Sequence, residues 1–177
     1  MRIIQSTIAI IAVLVIGLFS CSSSVDENKT PVAEANAQQP NEAKKIPAFA
    51  ITDATGKTVD LTSFKGKKVF VNLWATWCPP CRAEIPSIEN LASKVDKEKA
   101  VFIMLSLDEN FEVAKKFAKS ENLKVPVYYP AEKLPALFNT DGIPATFIFN
   151  ENGDLVKQNN GADDYNTDEY IKLLTTN

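Results

Sequence analysis

Cys78 and Cys81 stand three residues apart in the run Trp74-Ala75-Thr76-Trp77-Cys78-Pro79-Pro80-Cys81-Arg82. Two thiols at that spacing can be oxidised to a disulfide and reduced again, and the attacking species in such an exchange is the thiolate. The rest of the composition removes most other chemistry. The chain has 177 residues, 3 Cys and 0 His, so Ser-His-Asp and Cys-His catalysis, an imidazole-held haem and a mixed Cys/His zinc site are all excluded. Three thiols are also too few for a four-thiolate zinc site or a disulfide-stapled miniprotein. No cofactor is expected, and no metal. A formal charge of -3, with arginine only at Arg2 and Arg82, leaves no basic footprint for nucleic acid.

The elements around the pair give it meaning. Val69 to Trp74 is nearly continuous apolar sequence, the pattern of a strand buried on both faces. Beyond Cys78 the apolar residues Ile85, Ile88, Leu91 and Val95 recur at helical spacing, with a kink expected at Pro86. Cys78 therefore falls where a strand ends and a helix begins. Unpaired N–H groups and the positive end of the helix dipole stabilise an anion there and lower a cysteine's pKa. Proline is tolerated in a first turn, where its missing N–H would be unpaired anyway. The spacing places Cys81 one turn inward, so Cys78 is expected to be the exposed attacking thiolate and Cys81 the buried, resolving thiol. A purely structural disulfide is a weaker reading, because so small a loop contributes only ~2 kcal/mol by chain entropy, against nearly 5 for a hundred-residue loop. Half of an intermolecular metal site is the other bland alternative.

The remaining sequence supplies strands and helices in alternation. Phe49 to Thr52 and Thr58 to Leu61 read as a hairpin around Gly56. Val101 to Leu107 reads as a second buried strand, Glu109 to Lys119 as a helix and Val125 to Tyr129 as a short strand. Thr146 to Phe149 and Leu155 to Lys157 flank Asn152-Gly153, a strong hairpin signal. Asp168 to Thr175, with Thr167 as its cap, closes the chain as a helix. Lys65 to Lys68 is expected to be a solvated turn. An α/β domain follows, with a mixed central sheet and helices on both faces.

Ahead of the domain, residues 1–20 read as an export signal whose unbroken apolar part, Ile8 to Phe19, is short for a membrane span of roughly 20 residues. Leu18-Phe19-Ser20-Cys21 resembles the lipobox of bacterial lipoproteins, which implies lipidation of Cys21 and attachment to the lipid membrane. An uncleaved anchor and an ordinary signal peptide with an incidental cysteine are the alternatives. The rest of residues 21–45 is polar and lacks aromatic residues, the composition of a disordered tether. The folded domain is expected over residues 46–177.

The run V-N-L-W-A-T-W-C-P-P-C-R-A-E-I-P resembles the envelope-anchored, thioredoxin-like thiol-disulfide oxidoreductases of the TlpA/ResA type. Gly142-Ile143-Pro144-Ala145-Thr146-Phe147 is similar to the thioredoxin cis-proline segment. Glu109 to Pro130 matches the helix-strand insertion of that family. The resemblance implies a thioredoxin-like fold with an N-terminal β-hairpin. It implies that Cys78 is the nucleophile, that Cys81 resolves the mixed disulfide, and that Pro144 is cis and lies beside them. Ile143 then offers its backbone to an extended substrate, near Pro79 and Pro80. Glu84 matches a glutamate taken to assist proton transfer; its bland reading is a first-turn acid favouring the dipole. Asn72 stands where cytoplasmic thioredoxins carry a buried acid, which moves the proton burden toward Glu84. Trp77 offers a flat docking surface and Trp74 a core residue, unless both are purely structural.

The activity so implied is reduction of disulfides in exported proteins, for example in cytochrome c maturation, by a monomer recharged by a membrane thiol-reducing donor protein. Pro79 supports the reductive direction, because it removes an N–H that would stabilise the Cys78 thiolate. Alternatives are a disulfide oxidase or isomerase, a non-enzymatic binding or metal-carrier lipoprotein, and a thiol peroxidase. For the last, the P-x-x-x-T-x-x-C pattern is missing: Val71 and Ala75 occupy the proline and threonine places. The expected location is the bacterial cell envelope, on the extracytoplasmic or periplasmic side.

Overall fold

The computed structural model describes residues 44–176. The chain divides into two units, Met1–Gln38 and Gln39–Asn177, and all described residues belong to the second. The expected signal segment, Cys21 and most of the tether lie outside the described residues. The tether's last two residues belong to the fold: Lys44 O accepts from Leu155 N at 2.7 Å, and Lys45 forms an isolated bridge with Asp154.

The centre of the molecule is β3 (Lys68–Trp74), whose seven residues are all buried. Its apolar run demands cover on both faces, and its alternating side chains divide between two cores. Phe70 and Trp74 join one cluster, while Val69, Val71 and Leu73 join the other. On one side β3 pairs in parallel with β4 (Ala100–Ser106); on the other it pairs antiparallel with β6 (Ala145–Phe149). The crossover from β3 to β4 is α1 (Pro79–Lys94), which continues through Pro86 to Lys94. From β4 the chain crosses through α2 (Phe111–Ser120) to β5 (Val127–Pro130), parallel to β4. The hairpin of β1 (Ala50–Asp53) and β2 (Thr58–Asp60) forms one edge, and β7 (Leu155–Asn160) the other. The full order is β2-β1-β5-β4-β3-β6-β7. The chain closes with α3 (Asp168–Thr175).

The helical cover is uneven. The buried apolar residues of α1, α2 and α3 all belong to the cluster that contains Phe70 and Trp74. The opposite face is covered by the N-terminal segment with Ile46 and Phe49, and by two single-turn 3-10 helices that supply Leu61 and Phe138. The helices on that second face are thus reduced to 3-10 turns.

Two local expectations differ from the structure, and a third feature, the expected Asn152-Gly153 turn, forms. Thr167 occupies the N-cap position of α3, but its side chain makes no capping bond; the first-turn acids Asp168 and Glu169 answer the dipole instead. Lys68 is buried within β3 rather than lying in a solvated turn. Its ammonium donates to Leu173 O at 2.9 Å and to Thr176 O, satisfying carbonyls at the end of α3 that no helical N–H can reach. The turn between β6 and β7 needs its glycine: Gly153 has φ +79, and a Cβ there would meet Ile46 Cγ2 at 2.8 Å.

Candidate dithiol active site

The register of the sheet determines what surrounds the cysteines. Leu73 pairs with Ala145, so the residues just before β6 arrive at the end of β3 where Cys78 begins the helix. Trp74 pairs with Ser106, which brings the start of the β4–α2 connection to the same place. Ala145 also pairs with Asn160, so the chain after β7 returns alongside. Four separate stretches of sequence therefore converge on one end of the sheet.

Cys78 is the N-cap of α1, with Pro79 and Pro80 in its first turn. Both prolines lack an N–H, so Cys81 N is the donor that reaches Cys78 Sγ, at 3.2 Å. The two cysteines form a disulfide with their Cα atoms 5.3 Å apart; the structure is of the oxidised form. Cys81 is fully buried, but Cys78 is only 3% exposed, which corrects the expectation of an open thiol. Its sulfur is turned into the disulfide and lies 3.7 Å from Ile143 O. The asymmetry between the two sulfurs survives only in small degree. Trp77, by contrast, is 65% exposed directly beside Cys78, while Trp74 is wholly buried. The Ile143–Pro144 peptide bond is cis.

Glu84 lies three residues beyond Cys81 on α1, which places both on one helical face. Its carboxyl is buried. Asn72 Nδ2 donates to its Oε1 at 2.7 Å, and Asp163 N donates to its Oε2 at 3.2 Å. Burial pushes the Glu84 pKa up to about 7, opposed by the two hydrogen bonds and reinforced by the Asp163 charge. Glu84 also lines a pocket of about 260 Å³ with Ser87, Asn90 and Asp163, so solvent lies close to a group that titrates near neutrality. Asn72 in turn donates to Thr146 Oγ1 at 2.9 Å, which is bonded to Tyr165 OH at 2.7 Å. Among the described residues, its own Oδ1 has no partner.

The expected site residues Cys78, Cys81, Glu84, Trp77, Pro79, Pro80, Ile143 and Pro144 thus gather around one helix N-terminus and the loop before β6. The sequence reading did not single out Thr76, Ser106, Asp108 or Asp163 as parts of this site. The available signal was Ser106 and Asp108, polar residues at and just beyond the end of an otherwise apolar strand. Among the described residues, no group of three or more His, Cys, Asp or Glu side chains could hold a metal ion.

A dithiol at a helix start, facing a cis-proline loop on a mixed sheet, is an arrangement for thiol-disulfide exchange. The redoxin family model matches residues 41–174. The chain belongs to the redoxin family. Among its redoxin relatives, thiol-disulfide oxidoreductase ResA of Bacillus thuringiensis subsp. konkukian is 35% identical over 136 residues, 75% of this chain and 78% of that protein. ResA of Bacillus subtilis is 29% identical over 124 residues, 70% and 69% of the two chains. A crystal structure of a putative thiol:disulfide interchange protein DsbE from Chlorobium tepidum has a TM-score of 0.62 and 29% identity, over 68% of this chain and 86% of that one. The protein is therefore a thioredoxin-like thiol-disulfide oxidoreductase of the ResA type, with Cys78 and Cys81 as its disulfide pair. No helix among the described residues is long and apolar enough to cross a membrane.

Proposed function

We propose that this redoxin reduces disulfides in exported proteins, with Cys78 as nucleophile, Cys81 as resolving thiol and Glu84 as proton acceptor. The observation that carries the reductive direction is the pair of prolines in the first turn of α1, which leaves Cys81 N as the donor to Cys78 Sγ. A thiolate with few donors is weakly stabilised, the disulfide form is correspondingly favoured, and the dithiol becomes the better reductant.

In the reduced form the Cys78 thiolate attacks one sulfur of a substrate disulfide. The substrate S–S bond breaks, a mixed disulfide forms, and the departing substrate thiolate takes a proton. Glu84 accepts the proton of Cys81, whose thiolate then attacks Cys78 Sγ; the bond between Cys78 and the substrate breaks, and the second substrate sulfur leaves as a thiolate that takes this proton from Glu84. Two electrons and two protons pass to the substrate, and the Cys78–Cys81 disulfide remains for an external dithiol donor to reduce. A carboxyl with a pKa of about 7 suits this task, because a base is most effective near its operating pH. The exposed indole of Trp77, with Pro79, Pro80, Ile143 and Pro144, forms the docking surface.

Cys21 carries the lipid in this reading and tethers a monomer to the extracytoplasmic face of a membrane, where a thiol-reducing membrane protein recharges it. Apocytochrome c is one substrate consistent with this. A Cys81→Ser variant tests the reading, since it removes the resolving thiol and leaves substrate attached to Cys78. Mixed disulfides with exported proteins, released by a thiol reductant, are expected; their absence would contradict it.

A further inference from the structure

Asp108 is a buried carboxylate, 4% exposed, on the connection between β4 and α2. Both of its oxygens accept hydrogen bonds. Thr76 N donates to Oδ1 and Oδ2 at 3.2 Å each, Thr76 Oγ1 donates to Oδ1 at 2.7 Å, and Ser106 Oγ to Oδ2 at 2.8 Å. The same connection fastens the turn a second time, through Leu107 N to Trp74 O at 2.8 Å. Between these two anchors and the nucleophile there is only the turn closed by Cys78 N to Ala75 O, at 3.2 Å.

We propose that Asp108 is a positioning residue of the dithiol site, which fixes the turn before Cys78 through Thr76 and sets a negative charge beside it that disfavours the Cys78 thiolate. Thr76 precedes Cys78 by two residues and its N–H meets the carboxylate at 3.2 Å, so chain length alone keeps the carboxylate within roughly 15 Å of the thiol. A buried like charge still opposes ionisation over that range, because Coulomb repulsion falls only as 1/r where the dielectric is low, and it acts in the same direction as the two prolines. The other charged groups of the elements meeting there are engaged elsewhere or lie further along. Arg82 on α1 sits over the Phe117 ring at 5.5 Å, Glu84 on α1 is bonded to Asn72 and Asp163 N, and Glu109 follows Asp108 on the same connection. The loop before β6 carries Asp141 and presents the uncharged Ile143 carbonyl to the sulfur.

The assignment rests on Cys78 as nucleophile. It is tested in the full-length reduced protein by the pH dependence of iodoacetamide alkylation and by turnover with a disulfide substrate such as insulin. Asp108→Asn keeps the shape and removes the charge, and the midpoint of Cys78 alkylation should fall by about half a unit or more. Thr76→Val removes one anchoring bond and keeps the charge. It should leave the midpoint in place and lower turnover by about tenfold through misplacement of the thiol. Wild-type midpoint and turnover in both variants, with a lowered melting temperature alone, would make Asp108 merely structural and overturn the proposal. Should Asp108→Asn fail to fold, unchanged turnover in Thr76→Val would overturn it by itself. A Cys78→Ser control, with the alkylated residue located by peptide mass, separates the two levels: if Cys81 is then alkylated as rapidly as Cys78 is in the wild type, it is the nucleophile assignment that fails.

Discussion

Glu84 is the residue whose environment contradicts its chemistry most openly. A carboxyl raised from 4.5 to about 7 by burial favours the neutral form in the folded protein. Its contribution to stability is thus fully present below pH 4.5 and is lost as pH rises through 7. Two and a half units correspond to at most about 3 kcal/mol. Denaturant titrations of the wild type and Glu84→Gln should therefore diverge between pH 5 and pH 8, with only the wild type weakening as pH rises. Turnover should show the matching signature: a rise with a midpoint near pH 7 in the wild type, absent in Glu84→Gln. The residue was legible through the resemblance, as the match to a glutamate of the TlpA/ResA-type proteins, and its place one turn beyond Cys81 explains why the two share a helical face. Asp163 was not, since it meets Glu84 across 79 positions, its backbone N–H and its charge acting in opposite directions, and nothing local in the sequence links the two. The openness of Cys78 was misjudged for a similar reason, because what faces its sulfur is the Ile143 carbonyl.

At the scale of elements, the strands and helices followed from periodicity, while their terminations depended on long-range contacts. The alternation of α1 with two apolar strands identified the parallel unit, and Asn152-Gly153 identified the last hairpin. Periodicity does not say which face of a sheet a helix covers, and all three α-helices lie on one. Nor could it foresee that Lys68 would turn inward to α3, since a lysine in a Lys-Gly-Lys-Lys run looks like a surface residue. Lys68→Met should keep the packed stem and lose the bonds to Leu173 O and Thr176 O. A loss of about 1–3 kcal/mol is expected in urea denaturation, with fraying of α3 visible as faster amide exchange. Gly153→Ala should cost a comparable 1–3 kcal/mol, because it combines a left-handed backbone with a 2.8 Å approach to Ile46. Chemical denaturation measures it, and dithiol turnover should be unaffected because the turn lies at the opposite end of β6.

At the scale of the whole molecule, redox state and folding are linked. If the thiolate form is weakly stabilised, as the two first-turn prolines and the Asp108 carboxylate imply, the oxidised protein must be more stable than the reduced one. Unfolding with and without reductant should show the oxidised form surviving to higher urea concentration, and the opposite order would mark an oxidase. The absence of histidine has its counterpart in the proposed mechanism, which gives proton traffic at the dithiol to Glu84, a carboxyl between β3, α1 and the chain after β7. The most direct measurement of the central claim is the reduction potential of the Cys78–Cys81 pair, by equilibration with defined thiol buffers at pH 7. A reductase of this design should lie near thioredoxin, at about −270 mV, and clearly below about −200 mV. A value near about −120 mV, where strongly oxidising envelope enzymes lie, would contradict it.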